Sequence, residues 1–445
     1  MQVTNRKDKM KEISEAHACV IDAGTFPEMA EVLSRSFART SYYSPWESEF
    51  LCIDKCVIGD GCDGFDRVDD YMDPDFFNTV DLWVFPDIGY GGLQRYLRSL
   101  NKLVWGSMGA SDLELFRTRF LSVIHKAGLP VVASTRCNGL TELASHLKGV
   151  KNKWVKINRY RGNMETWHHI DWDHSVRMIE HLACVFGPMK EYVIFVVQDA
   201  IEGDEENPVL EVGYDGWTVD GNFPVLSYQG YEAKNQLYLG SLLAADDIPQ
   251  PVRFVNEAMA PTLEQYGYRN FWATEIRIQD GTPYFIDPTA RMAGQTMEHL
   301  HETCTNLADV VYRGAAGELV VPEFSAPFAA EATLHYTAET DGGWKTLKVP
   351  ESVRDWVKLY RYCCIDGIYQ FPPHKSDELG VVCGRGDTVE EAINDLKDNF
   401  SEIENEPVSI DLSGFAKLIE QIEDAEAEGV GFSDKPLPDP AIALQ

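Results

Sequence analysis

The residues best placed to do chemistry lie between Trp272 and Arg291. Glu275, Arg277 and Gln279 alternate, so a β-strand would present all three on one face. Asp280-Gly281 is a strong hairpin signal, and a second run returns through Asp287, Thr289 and Arg291. Folding that run back brings Asp287 to Glu275, with Thr289 close by. Hard oxygens in this arrangement suit magnesium, which takes one or two carboxylates together with phosphate oxygens. Arg291 could then neutralise a phosphoryl group in transfer. An exposed hairpin with polar alternation has the same pattern.

A second candidate is Lys156, flanked by Val155 and Ile157. A lysine in an apolar strand needs an anionic partner or an outlet to solvent; a nucleotide phosphate or the solvent face of the strand would each serve. Arg159, Arg161 and Gly162 follow in a basic loop of the kind that covers phosphates. A third is the strand exit running from Val197 through Gln198 to Glu205, where backbone groups can meet a purine edge and a carboxylate can meet ribose hydroxyls. An ordinary surface turn reads the same way. Cys52, Cys56 and Cys62 lack paired zinc spacing, and Trp167, His168, His169 and His174 lack a metal-binding helical pattern.

The elements that must position these residues change character along the chain. Strand patterns at 18–22, 51–59, 81–88 and 103–105 alternate with helical spacing at 27–37 and 93–100. This predicts a parallel sheet covered on both faces. A helix is expected over 111–127, closed by Gly128 and Pro130. From Trp154 the pattern turns to antiparallel strands at 154–157, 192–199, 210–214, 272–279 and 283–287, with helices over 175–186 and up to 266. Thr388 caps a helix reaching 401. Residues 401–429 read as an acidic solvated helical face, and 434–445 as a proline-rich tail.

The chain has 445 residues and a formal net charge of −32, with 44% hydrophobic and 25% charged residues. That is globular composition, and its acidity argues against duplex nucleic acid and anionic membrane as partners. The sequence has no apolar run of membrane-spanning length and no signal-peptide pattern. Ten cysteines are too sparse for a disulfide scaffold, so the expected location is the cytoplasm.

In their order along the chain, these pieces resemble the ATP-grasp superfamily, and within it most closely the glycinamide ribonucleotide synthetase (phosphoribosylamine–glycine ligase) family. The likeness spans roughly Asp81 to Glu298 and, more weakly, the segment from Gly384 to Ala392. It implies α/β plus α+β architecture: an ATP-grasp fold with an N-terminal parallel-sheet (pre-ATP-grasp) domain and a C-terminal α+β portion. The implied divisions are 1–110 for the N-terminal domain, 111–200 for the small ATP-grasp subdomain, 201–325 for the core with the Mg-ATP site, and 326–445 for the C-terminal portion.

By the same resemblance, Arg117 stands where the family has its first nucleotide lysine, and Lys156 where it has the second. Gln198, Ala200 and Ile201 fall at the adenine hinge and Glu205 at the ribose acceptor. Glu275, Asp287 and Thr289 fall on the metal ligands, threonine replacing the usual asparagine, and Arg291 on the following arginine. The cofactors implied are ATP and Mg2+, with Mn2+ as an alternative. The activity implied joins a small-molecule carboxylate to an amine through an acyl phosphate, releasing ADP and phosphate. Arg291 and Lys156 would act at the reacting groups, residues 159–165 would form the lid, and His168, His169 and Arg277 are candidates for contacting substrate. A peptide- or protein-modifying ligase shares the half-reaction, and a catalytically lapsed nucleotide sensor or structural subunit shares the fold. A homo-oligomer is compatible with all three.

Overall fold

His17–Ile21 is an unbroken apolar run with all five residues buried, as a strand covered on both faces requires. In the computed structural model it is the centre of a parallel sheet. The structure describes residues 10–45, 57–159, 166–203, 209–338, 343–373, 376–403 and 407–432. Among these, the strands form four sheets. The first contains β1 (His17–Ile21), β2 (Arg39–Tyr43), β3 (Asp66–Arg67), β4 (Leu82–Val84) and β5 (Leu103–Trp105). Its order is β3-β2-β1-β4-β5 and every pairing is parallel. The strand order reverses between β1 and β4, which opens a crevice at their carboxyl ends. Of the strand expected at 51–59, residues 51–56 lie outside the described residues and 57–59 form a turn.

The helix expected over 111–127 is two helices, Ser111–Leu115 and Arg117–Lys126. Phe116 between them is extended, with φ −132° and ψ 99°. The cause lies outside the local sequence. The Asn158 backbone carbonyl accepts from the Arg117 amide at 3.1 Å, and its side chain accepts from the Thr118 amide at 2.8 Å. A residue at the end of a distant strand therefore satisfies the free amides of the second helix and sets Arg117 in its first turn.

The second sheet joins β6 (Ser134–Asn138), β7 (Lys153–Ile157), β8 (Thr166–His169) and β9 (Ile194–Asp199) in the antiparallel order β6-β9-β7-β8. Helices Leu140–Leu147 and Trp172–Phe186 accompany it, around a small core that includes Leu143, Leu147, Val155, Leu182 and Phe195. The second helix starts earlier than 175 because the Asp171 side chain accepts from the His174 amide at 3.0 Å.

The largest sheet is built from β10 (Leu210–Val219), β11 (Leu226–Ala233), β12 (Leu237–Ala244), β13 (Arg269–Gln279), β14 (Thr282–Thr289) and β15 (Phe328–Tyr336). The chain then passes through β16 (Lys345–Leu347), β17 (Val357–Leu359), β18 (Cys363–Ile365), β19 (Ile368–Phe371), β20 (Glu378–Gly386) and β21 (Val408–Ser409). Strands β16, β19 and β18 make the fourth, small sheet; β15, β20, β17 and β21 extend the largest one. Its order is β14-β13-β10-β11-β12-β15-β20-β17, with β21 beside β15. No break in pairing falls at residue 325: β15 pairs with β12 in register Leu237↔Ala332. Helix Val389–Ser401, capped by Thr388, packs on β20. Helix Phe415–Ala427 buries Phe415, Leu418, Ile422 and Ala425 and leaves an acidic face outward. No described helix is long and apolar enough to cross a membrane.

Candidate active site

Hairpin β13–β14 turns at Asp280-Gly281, both with positive φ (49° and 71°), as a tight turn between strands requires. The register then places Glu275 opposite Asp287 and Ala273 opposite Thr289. A bulge between Glu275 and Ile276 re-aims the pair. Glu275, Asp287, Thr289 and Arg291 open onto a cavity of about 570 Å³. The sheet continues this row inward with glycines: Glu275 pairs with Gly213, Gly213 with Gly230, and Gly230 with Gly240. A Cβ at Gly230 or Gly240 would run into the Tyr238 ring, which takes up that space. The Tyr238 hydroxyl donates to Asp215 Oδ2 at 2.9 Å, and its ring stacks on His299 at 5.6 Å.

The cations come from three other places in the chain. Arg117, 4% exposed, is 2.6 Å from Asp287 Oδ1. Lys156 Nζ lies 3.5 Å from the Ile286 carbonyl. Burial and the neighbouring Arg117 lower its pKa to about 8, against the pull of Asp287 and Glu275. Arg291 Nε is 3.0 Å from Glu114 Oε1 and 3.8 Å from Asp87 Oδ1. The other Glu114 oxygen accepts from the Ala290 amide at 3.0 Å. Burial opposes the charge on Arg291, but Glu114 and Asp87 outweigh it and raise its pKa. Burial also raises Glu275 to about 8, with Glu211 and Asp287 adding to the effect. One oxygen from each of Glu211, Glu232 and Glu275 falls within 4.8 Å of the others.

This donor set fits magnesium: two cross-strand carboxylates and a hydroxyl, all hard oxygens. Beside it, Arg117, Lys156 and Gln198 line a narrow cleft with Phe120, Ile124, Val132 and Phe285. Its volume is only about 10 Å³, so these side chains close it, two cations among apolar walls. Ala200 and Ile201 follow β9 directly; they do not line that cleft. The Gln279 side chain donates to the Glu202 carbonyl, which ties the strand exit to the hairpin. Glu205 and most of the expected lid, residues 160–165, lie outside the described residues.

His168 and His169 do not line either cavity. His168 stacks on Trp154 at 4.9 Å and bonds to Asn152 at 2.6 Å. His169 is fully buried between Ser175 (2.7 Å) and the Val150 carbonyl (3.1 Å). Both are held by their own subdomain. Arg277 pairs with Glu211 at 2.7 Å, so its charge reaches the cavity through that carboxylate. Sequence reasoning missed Asp215, Glu211 and Glu232. Glu211, Gly213 and Asp215 do alternate along β10, but a strand ended at 214 leaves Asp215 out. Asp87 and Glu114 sit where nothing local marks them as partners of Arg291.

The parallel domain, the small antiparallel sheet and the large sheet carrying the hairpin site together define the ATP-grasp fold. The solved structures most similar in shape include a phosphoribosylamine–glycine ligase from Thermotoga maritima, with TM-score 0.62 and 16% identity over 88% of this chain and 98% of that one. The biotin carboxylase domain of a 2-oxoglutarate carboxylase from Hydrogenobacter thermophilus, solved with Mg-ADP and bicarbonate, gives 0.61 at 14% identity over 93% and 96%. An L-amino acid ligase from Bacillus licheniformis gives 0.57 at 15% over 89% and 99%. No protein-family model matches the chain. No curated protein matches it in sequence.

Proposed function

We propose that the protein is an ATP-dependent ligase that joins a small-molecule carboxylate to an amine. The observation that carries this is the cross-strand pair Glu275–Asp287 in an ATP-grasp fold, with Arg117, Lys156 and Arg291 gathered around it. The names of the similar structures agree with it: two are ligases and one was solved with Mg-ADP. Glu275, Asp287 and Thr289 would hold magnesium, which when bound screens and orients the phosphates. Arg117 and Lys156 offset the charge of the triphosphate. Arg291, oriented by Glu114, would offset the repulsion between a substrate carboxylate and the transferring phosphoryl.

In the reaction a carboxylate oxygen bonds to the γ-phosphorus as the bond to the ADP oxygen breaks. The amine nitrogen then bonds to the acyl carbon, phosphate leaves, and the nitrogen loses a proton. Retention of both acidic positions together with three cations favours this over a lapsed fold.

The test is ADP release with Mg-ATP or Mn-ATP against a carboxylate panel, using hydroxylamine to trap the acyl phosphate as a hydroxamate. Carboxylate-dependent ADP and hydroxamate that vanish in Glu275→Gln support the reading. AMP in place of ADP, or turnover unaffected by that substitution, overturns it.

A further inference from the structure

We propose that Asn158 is a positioning residue for the nucleotide, holding Arg117 where the triphosphate needs a cation. The inference rests on the ligase reading through its nucleotide site, and adds a residue that acts on the ligand only through another.

The first support is that the start of helix Arg117–Lys126 has no local cause. Phe116 precedes it in an extended conformation and has no side-chain oxygen to cap the free amides. Arg117 and Arg119 put two cations and no carboxylate in the first turn, against the preference of the helix dipole. Each cation is met by a carboxylate from outside the helix, Asp287 for Arg117 at 2.6 Å and Asp112 for Arg119. Apolar spacing over 111–127 favours one continuous helix, in which Phe116 would not be extended. A break against local preference is expected where a position serves another purpose.

The second support is that the account of the first four amides closes on one residue. The Phe116 carbonyl accepts from the Arg119 and Phe120 amides, both at 3.0 Å. The other two go to Asn158: its carbonyl takes the Arg117 amide at 3.1 Å and its side chain the Thr118 amide at 2.8 Å. Asn158 is itself held. It is 8% exposed, and its own amide donates to the Ile194 carbonyl of β9 at 2.8 Å. Through it the backbone of Arg117 is tied to the small antiparallel sheet.

The third support is where Asn158 stands. It follows β7 directly, two residues after Lys156. Lys156 and Arg117 line one narrow cleft. The next residue, Arg159, lays its guanidinium over the Phe116 ring at 5.0 Å. Residues 156–159 therefore meet the start of the helix at three points. Two neighbouring cations repel each other. A backbone frame that keeps them together lowers the cost of ordering them when a phosphate arrives.

The test measures Mg-ATP binding to the full chain by calorimetry in a double-mutant cycle. Asn158→Ala should weaken binding about five- to tenfold, the scale of a lost cap. In an Arg117→Met background the same change should alter binding less than about twofold, because the residue it positions is gone. In a Lys156→Ala background the full loss should persist. A merely structural role would lower the melting temperature in all three backgrounds without any dependence on Arg117. If Asn158→Ala does not fold, Asn158→Ser, which draws the acceptor back, goes through the same cycle with the same expectation. Unchanged binding, or an equal loss with and without Arg117, overturns the inference. The ligase reading fails separately. A parent that binds Mg-ATP with the expected pattern, yet gives no carboxylate-dependent ADP, overturns that reading and keeps the role of Asn158. A parent that binds no Mg-ATP overturns both.

Discussion

At the scale of single residues, Asp287 faces two demands. It pairs with the buried Arg117 at 2.6 Å and stands opposite Glu275 in the pair proposed to hold magnesium. Removing it with Asp287→Ala leaves Arg117 without that partner, and breaking such a pair costs about 3–5 kcal/mol. Glu275→Gln is therefore the cleaner probe of metal binding. It relieves repulsion from Glu211 and Asp287, so the melting temperature should hold or rise while ADP release falls about a hundredfold or more. A variant that turns over normally would remove Glu275 from the site. If Lys156 contacts a phosphate as proposed, Lys156→Ala should raise the ATP concentration needed for half-maximal rate about tenfold, with a smaller effect on kcat. Titrating ATP at fixed carboxylate checks it; an unchanged requirement takes Lys156 out of the nucleotide site. Glu275 and Asp287 were legible because alternation and a two-residue turn dictate their pairing locally. Glu232 was not, because only the order of strands in the sheet brings it near Glu275.

At the scale of elements, two glycines make opposite predictions. A Cβ on Gly384 of β20 would strike backbone atoms of Ala392 and Leu396 on helix Val389–Ser401, which cannot yield without moving the helix. Gly384→Ala should cost about 1–3 kcal/mol and lower the melting temperature by several degrees. Gly92 lies in the helix Gly91–Ser99 with nothing near its added Cβ. Gly92→Ala should stabilise by up to about 1 kcal/mol through helix propensity. Thermal melts of the pair decide both, and a Gly384 variant as stable as the parent would show that the helix sits looser than described. The strands and helices around the hairpin site were legible at this scale, since a period of two or of 3.6 is written in the residues themselves, whereas β2, β6, β11, β12 and the strands after residue 325 were not. The break at Phe116 was not. Apolar spacing runs straight through it, and only Asn158, brought in from the end of β7, explains the second start.

At the scale of the whole molecule, the N-terminal and C-terminal segments are joined by buried charge. Arg354 reaches Glu28 at 2.8 Å and Glu31 at 2.6 Å on helix Pro27–Ser34, and the Tyr369 hydroxyl at 2.5 Å. Arg354→Met leaves the buried Glu28 and the partly buried Glu31 without it, and a loss of about 3–5 kcal/mol is expected from the melting curve. Near this cluster Glu298 is fully buried, and burial, with Glu28 adding, pushes its pKa up to about 8 from 4.5. Between those values the folded state holds a proton that the unfolded state has released. The contribution of this group to stability is therefore present below about pH 4.5 and declines as pH rises through 8. Glu298→Gln removes that dependence, so its melting temperature should gain on the parent from pH 5 to 8 and level off above. Parallel melting curves across this range would show that Glu298 does not titrate as stated.

The parallel character of the first domain and the hairpin with its facing carboxylates follow from the sequence alone. Backbone geometry repeats over two to four residues, and a tight turn fixes which residues of adjacent strands face each other. The remaining contacts of the site were decided by the tertiary structure. Arg117 meets Asp287 across 170 residues, and Arg291 meets Glu114 across 177. Gly230 and Gly240, which admit the Tyr238 ring, meet only because β11 and β12 pair in the sheet. Such meetings depend on which apolar faces cover each other over the whole chain, and no local period carries that information.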